Sequence, residues 1–182
     1  MRTSVMPEPT ERSSEALRSK ERAVNPAQSV FLGCNSIMEL KIKHYKDLAL
    51  DELHDILRFR VAVFVVEQNC PYQEIDGNDK VAWHLWLEDK GEMVAYLRVL
   101  PAGTTFEDVA IGRVVCVRRR KGWATLLLQE GMKLAVEKFH AGSISLEAQV
   151  YARGLYEKVG FVQSSEEFLE DGIPHIKMTL KI

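Results

Sequence analysis

The chain has 182 residues, of which 46% are hydrophobic and 27% charged, enough apolar material for one domain with a real core. With 24 Lys and Arg against 26 Asp and Glu the formal net charge is −2, which argues against a protein that lives on DNA or RNA. The three cysteines, Cys34, Cys70 and Cys116, are odd in number and form no CxxC, so a disulfide framework is not expected. The five histidines show no HxxxH or HExxH spacing, so no metal is expected, and no apolar run approaches the roughly 20 residues of a membrane helix. A cytoplasmic protein with no membrane or nucleic-acid partner is the expectation.

Residues 1–37 are polar, mixed in charge and carry three prolines, and such a segment cannot bury enough surface to offset chain entropy. A disordered extension over 1–37 and a domain over 38–182 follow, with Met38 a candidate natural start. The alternation in Glu39–His44 predicts a half-buried strand. Leu53, Ile56, Leu57, Val61 and Phe64 fall at helical spacing within Asp51–Val65. Asn69–Lys80 is turn-rich and reads as a loop. Ala82–Leu87 and Met93–Leu100 read as two strands joined by a turn, and Val109–Val117 as a long β-branched strand. Gly122–Phe139 reads as a helix with Leu127, Gly131, Leu134 and Ala135 on one face. Ser143–Gln149 is a strand, and Tyr151–Val159 a short helix capped by Gly160. Phe161–Gln163 and His175–Leu180 close the chain as strands. The first hairpins should be antiparallel and the later strand–helix–strand unit parallel.

The junction between the Val109–Val117 strand and the following helix carries the chemistry. The sequence Val117–Leu127 reads VRRRKGWATLL. A helix start leaves backbone N–H groups unpaired, and with the helix dipole they favour an anion. Gly122 removes a Cβ from that approach and Ala124 stays small, while Arg119, Arg120 and Lys121 add positive charge. The spacing Arg-x-x-Gly-x-Ala suits a pyrophosphate; GxxxxGK[ST] and GxGxxG are both absent. A solvated helix start with flanking basic residues is the competing reading of the hexapeptide taken alone.

The second constellation is LEAQVYARGLYEKVGF, Leu146–Phe161. Together with the basic junction it resembles the two coenzyme-binding motifs of the GCN5-related N-acetyltransferases, the GNAT superfamily. VFVVEQNCPYQEIDG (Val63–Gly77), IGRVV (Ile111–Val115), AQ (Ala148–Gln149) and EDGIPHIKM (Glu170–Met178) are similar to its ElaA-like subgroup. The resemblance covers nearly all of 38–182. It implies an α+β fold, with a mixed and mostly antiparallel sheet splayed between its fourth strand (Ile111–Val117) and its fifth (Ser143–Gln149), flanked by helices.

By the same resemblance acetyl-CoA lies in the splay and an amine attacks its thioester directly in a ternary complex. Val115, Cys116 and Val117 would hold the pantetheine arm, and Gly122, Trp123, Ala124 and Thr125 the pyrophosphate. The turn after Cys116 is about two residues shorter than the family's common pattern, which leaves open which of Arg118–Lys121 meets phosphate. Tyr156 stands where the family carries its general acid. Glu67 and His84 are the candidates for the base that takes the amine's proton, and Gln149 and His175 for residues that meet the acceptor. Glu74, Asp76, Glu170 and Asp171 make acidic loops that could attract a cationic amine, a small molecule or a peptide. Many relatives pair as homodimers. The alternative in another class is a non-catalytic acyl-CoA-binding module.

Overall fold

The computed structural model describes residues 28–33, 36–118 and 121–182, with side chains from residue 38 onward. Among the described residues nine strands form one sheet in the order β1-β2-β3-β4-β5-β6-β9-β7, with β8 pairing on β9. The strands are β1 (Gln28–Gly33), β2 (Ser36–His44), β3 (Trp83–Asp89), β4 (Glu92–Leu100), β5 (Val109–Cys116), β6 (Ser143–Gln149), β7 (Val162–Gln163), β8 (Phe168–Glu170) and β9 (Ile173–Lys181). The helices are α1 (Leu50–Val61), α2 (Trp123–Phe139) and α3 (Arg153–Glu157). Strand order begins before Met38, because β1 pairs antiparallel with β2. The expected disorder over 1–37 otherwise lies outside the described residues.

Each sheet face is covered by one long helix, as the apolar alternation of the central strands requires. Leu127, Leu128, Leu134 and Ala135 of α2 pack on Leu85, Leu87, Leu97 and Val99. The opposite face seats α1 through Ile56 against Trp86, Tyr96 and Val115. Glu52 Oε2 accepts the Ala49 N–H at 2.9 Å and so fixes the start of α1. The helix then widens into a π-helical turn over Ala62–Glu67, a departure from regular helix that frequently marks functional positions.

Two junctions place the site. β5 and β6 run parallel but pair only at Val109–Ile144 and Ala110–Ser145. Beyond those pairs they diverge, and the sheet opens where the resemblance implied. After α3 the chain turns through Gly160 at φ 98°. The Phe161 N–H reaches Tyr156 O at 3.1 Å and the Gly160 N–H reaches Glu157 O at 3.0 Å, the Schellman pattern that a left-handed glycine permits.

Candidate active site

The divergence of β5 and β6 opens a cleft of about 1240 Å³. That exceeds the roughly 300–1,000 Å³ of a site for one small ligand and leaves room for an elongated cofactor beside a second molecule. Its floor is the bulged part of β5. Tyr96 faces Val115 and Arg98 faces Gly112, so Arg113 and Val114 together oppose Leu97. Arg113 sits at φ 55°, a left-handed conformation that costs an L-residue about 1–2 kcal/mol.

One end of the cleft is the start of α2. Gly122 caps it at φ 79° with no side-chain hydrogen bond to the helix, and the first turn carries no acidic residue. Trp123, Ala124 and Thr125 line the cleft at this end, beside Lys121. The N-cap supplies no side chain to the amides of this first turn, a helix start suited to an anion. Arg118 also reaches the cleft, but its guanidinium is engaged by Asp89, approaches Glu92 at 3.9 Å and lies 5.9 Å from the Trp123 ring centre. Arg119 and Arg120 lie outside the described residues.

Val115 and Cys116 line the cleft, and burial pushes the Cys116 thiol upward. Val117 does not join them. Its N–H is spent on Val94 O at 3.0 Å, because the chain just past β5 still bonds to β4. Hydrogen-bonding direction alternates along a strand, so the groups turned away from β4, toward the splay, belong to Val114 and Cys116.

Across the cleft stands Tyr156 of α3, buried against Phe161 with ring centres 6.2 Å apart. Burial and the nearby Tyr151 raise its phenol well above the usual range, so it carries its proton at neutral pH. The structure therefore brings Tyr156, the β5 bulge and the start of α2 around one cavity.

The other expected residues divide. Glu67 lines the cleft from the π-helical turn, and Gln149 and His175 line it from neighbouring positions on β6 and β9. Gln149 Nε2 donates to Gln68 Oε1 at 3.1 Å. His175 Nδ1 is 2.8 Å from Ile173 O, its Nε2 faces Glu170 at 3.7 Å, and its ring stacks on Phe168. His84 is not a cleft residue. It is fully buried in β3, with Nε2 3.1 Å from Asp79 O and Nδ1 2.7 Å from the Tyr96 hydroxyl. The Asp79 carbonyl can only accept, so Nε2 carries the proton and Nδ1 accepts from Tyr96. Burial then lowers the imidazole to about 4, and no free nitrogen remains to serve as a base.

The acidic loop also reads differently in place. Glu74 accepts from buried Arg60 and from Arg113, while Asp76 pairs with Arg98 and Arg113. Asp79 bridges Arg60 at 2.7 Å and Arg98 at 2.8 Å. Three carboxylates meet three guanidinium groups, so this loop offers the cleft no surplus negative charge. Glu67, Glu147, Glu170 and Asp171 also line the cavity. Glu147 stands inside the Leu146–Phe161 motif, yet the resemblance assigns it no role. Its partly desolvated place and the nearby Glu170 raise its carboxyl above the usual range. The alternation Ser145, Glu147, Gln149 is the signal that places it on the face of Gln149.

Residues 44–182 match the family described as Acetyltransferase (GNAT) domain. The protein ElaA of Escherichia coli K12 is 36% identical over 80% of this chain and 98% of its own. Its crystal structure superposes with a TM-score of 0.74 over 79% of this chain and 99% of that one, at 34% identity. A UPF0039 protein of Schizosaccharomyces pombe is 38% identical over 81% of this chain and 99% of its own. The crystal structure of an acyl-CoA N-acyltransferase from Pseudomonas aeruginosa matches with a TM-score of 0.72 and 40% identity, over 78% of this chain and 98% of that one.

Proposed function

We propose that this chain, which belongs to the GNAT acetyltransferase family, transfers the acetyl group of acetyl-CoA to a primary amine by direct attack in a ternary complex. That it is an N-acyltransferase using a CoA-borne acyl group follows from its kin; acetyl as the group and a cationic primary amine as the acceptor are our reading. The observation that carries it is the cleft itself. A helix start opened by Gly122 and a protonated, buried phenol face one cavity across a strand whose outward amides have lost their neighbour.

The pyrophosphate sits on the amides of Gly122–Thr125 beside Lys121. The pantetheine arm runs along β5 as an added strand, met by the backbone of Val114 and Cys116. Glu67 takes a proton from the ammonium, directly or through a water. The free amine adds to the thioester carbonyl, and the oxyanion is stabilised by an N–H of the β5 bulge. The C–S bond then breaks, Tyr156 gives its proton to the departing thiolate, and the proton that the nitrogen sheds on becoming an amide returns to the phenolate, directly or through a water. Even an unperturbed phenol of pKa ~10 protonates the thiolate of a thiol of pKa ~8.5 only uphill in water; burial of Tyr156 widens that gap, and a thiolate poorly solvated in the same cleft offsets it. The ammonium group is drawn in by Glu67, Glu147 and Glu170 and oriented by Gln149 and His175. Holding both reactants in one cleft supplies several kcal/mol of the acceleration.

Calorimetric titration with acetyl-CoA, with NADP and a short RNA as controls, tests the reading. Saturable binding of acetyl-CoA alone, followed by an acetylated product from a panel of primary amines, is the expected result. Absence of acetyl-CoA binding removes it.

A further inference from the structure

Arg113 occupies the left-handed position of the β5 bulge, where glycine is the residue that backbone geometry favours. A glycine stands one position earlier, at Gly112, so the chain does not relieve the strain with sequence. Side-chain bonds hold it instead. Arg113 Nε donates to Glu74 Oε1 at 2.8 Å, and Nη2 donates to Glu74 O at 3.0 Å and approaches Asp76 Oδ2 at 3.3 Å. Its guanidinium also lies 5.8 Å from the Tyr72 ring centre. Glu74 is itself immobilised, because fully buried Arg60 reaches both of its carboxylate oxygens at 2.8 and 3.0 Å. The loop carrying Tyr72, Glu74 and Asp76 is therefore fastened to the strand at the point where it leaves regular pairing.

We propose that Arg113 is a positioning residue: its clasp on Glu74 and Asp76 holds the β5 bulge in the register that aims the outward amides of the strand at the thioester carbonyl. The inference rests on the reading of β5 as the acyl-CoA strand. It assigns Arg113 no contact with the reacting atoms, and it makes the loop of residues 69–81 a brace for the donor side of the cleft.

The test compares Arg113→Ala, Arg113→Gly and Arg113→Lys, using the carbonyl carbon-13 resonance of labelled acetyl-CoA bound to each variant, together with turnover on the best amine of the panel. A carbonyl held by a backbone N–H moves downfield on binding, and that shift needs no acceptor. Arg113→Ala keeps neither the clasp nor a residue suited to the bulge. It should lose the downfield shift and on the order of 100-fold in kcat, the cost of displacing reacting groups by about 1 Å, with KM for acetyl-CoA little changed. Arg113→Gly restores the favoured backbone residue without any charge, and should recover part of both losses. Arg113→Lys keeps the charge but cannot span Glu74 and Asp76, and should fall below the glycine variant.

A lysine variant better than the glycine variant would mean that the charge itself matters, and would overturn positioning. Equal and complete loss in all three, with folded protein by circular dichroism, would overturn it as well, as would an alanine variant matching the parent. If the parent protein shows no saturable shift with acetyl-CoA, the functional reading fails instead, so the two failures are separable.

Discussion

The Tyr96 hydroxyl donates to Nδ1 of His84 across 2.7 Å inside the sheet, and that bond decides what His84 is for. Both ring nitrogens are committed and the imidazole is lowered to about 4. His84 therefore contributes to stability and not to the pH dependence of turnover. The unfolded chain binds a proton near the ordinary 6.5, whereas the folded chain resists it until about 4. Between those values the unfolded state holds more protons, so stability is present above 6.5 and is lost as pH falls through about 4. The gap amounts to on the order of 3 kcal/mol. Urea midpoints of the parent and His84→Gln, compared at about pH 7 and about pH 4, should show a steeper acid loss in the parent. Parallel losses would mean that His84 is not the group responsible.

Tyr156 offers the opposite case, a titratable group that faces the cleft. Its raised phenol stays protonated through the neutral range, as a proton donor to a thiolate must. Tyr156→Phe keeps the ring against Phe161 and removes only the hydroxyl. Turnover should fall roughly 100-fold while KM for acetyl-CoA stays near the parent's. Steady-state kinetics with thiol detection checks this, and unchanged kcat would take Tyr156 out of the chemistry.

Periodicity and glycine chemistry make most of this architecture legible in the amino-acid order alone. The β-branched run at 109–117, the helix opened by Gly122 and the stop at Gly160 are local patterns, each enforced within a few residues. The long-range pairings carry no such signal. Nothing near Arg60 announces that it meets Glu74 and Asp79, and nothing near His84 says that Tyr96 will bond it. Strand alternation says which face a residue takes, not what stands across from it, and a loop says less still, so Glu74 and Asp76 read as acids that could attract a cationic amine. The bulge is hidden for a related reason: Gly112 invites it one residue before the place where Arg113 makes it. β8 is equally silent, because Phe168–Glu170 is three residues long and shows no alternation.

Gly122 joins two demands at one position, a left-handed turn and close approach of an anion. An added Cβ there meets no heavy atom within 4 Å, so the cost of Gly122→Ala comes from its φ of +79° and from the ligand. The backbone strain should lower stability by about 1–2 kcal/mol. A methyl group beside the pyrophosphate should weaken acetyl-CoA by at least tenfold, about 1.4 kcal/mol. Calorimetry with acetyl-CoA and with dephosphorylated pantetheine separates the effects. Equal weakening of both ligands would count against a phosphate site at this turn.

Arg60 should prove the most costly of these positions for the fold. Its side chain is fully buried and serves Glu74 and Asp79 at once. Removing one partner of a buried ion pair leaves an uncompensated charge, worth about 3–5 kcal/mol. Glu74 keeps Arg113 and Asp79 keeps Arg98, so Arg60→Ala belongs near the lower end of that range. For a domain of this size that corresponds to a fall in Tm of roughly 6–12 °C. Arg58→Ala, two residues earlier with an exposed side chain, should change stability by less than about 0.5 kcal/mol. Thermal melts of the two variants give the comparison. A small shift for Arg60→Ala would show that water enters and solvates the orphaned carboxylates, and that the brace beneath β5 does not depend on this guanidinium.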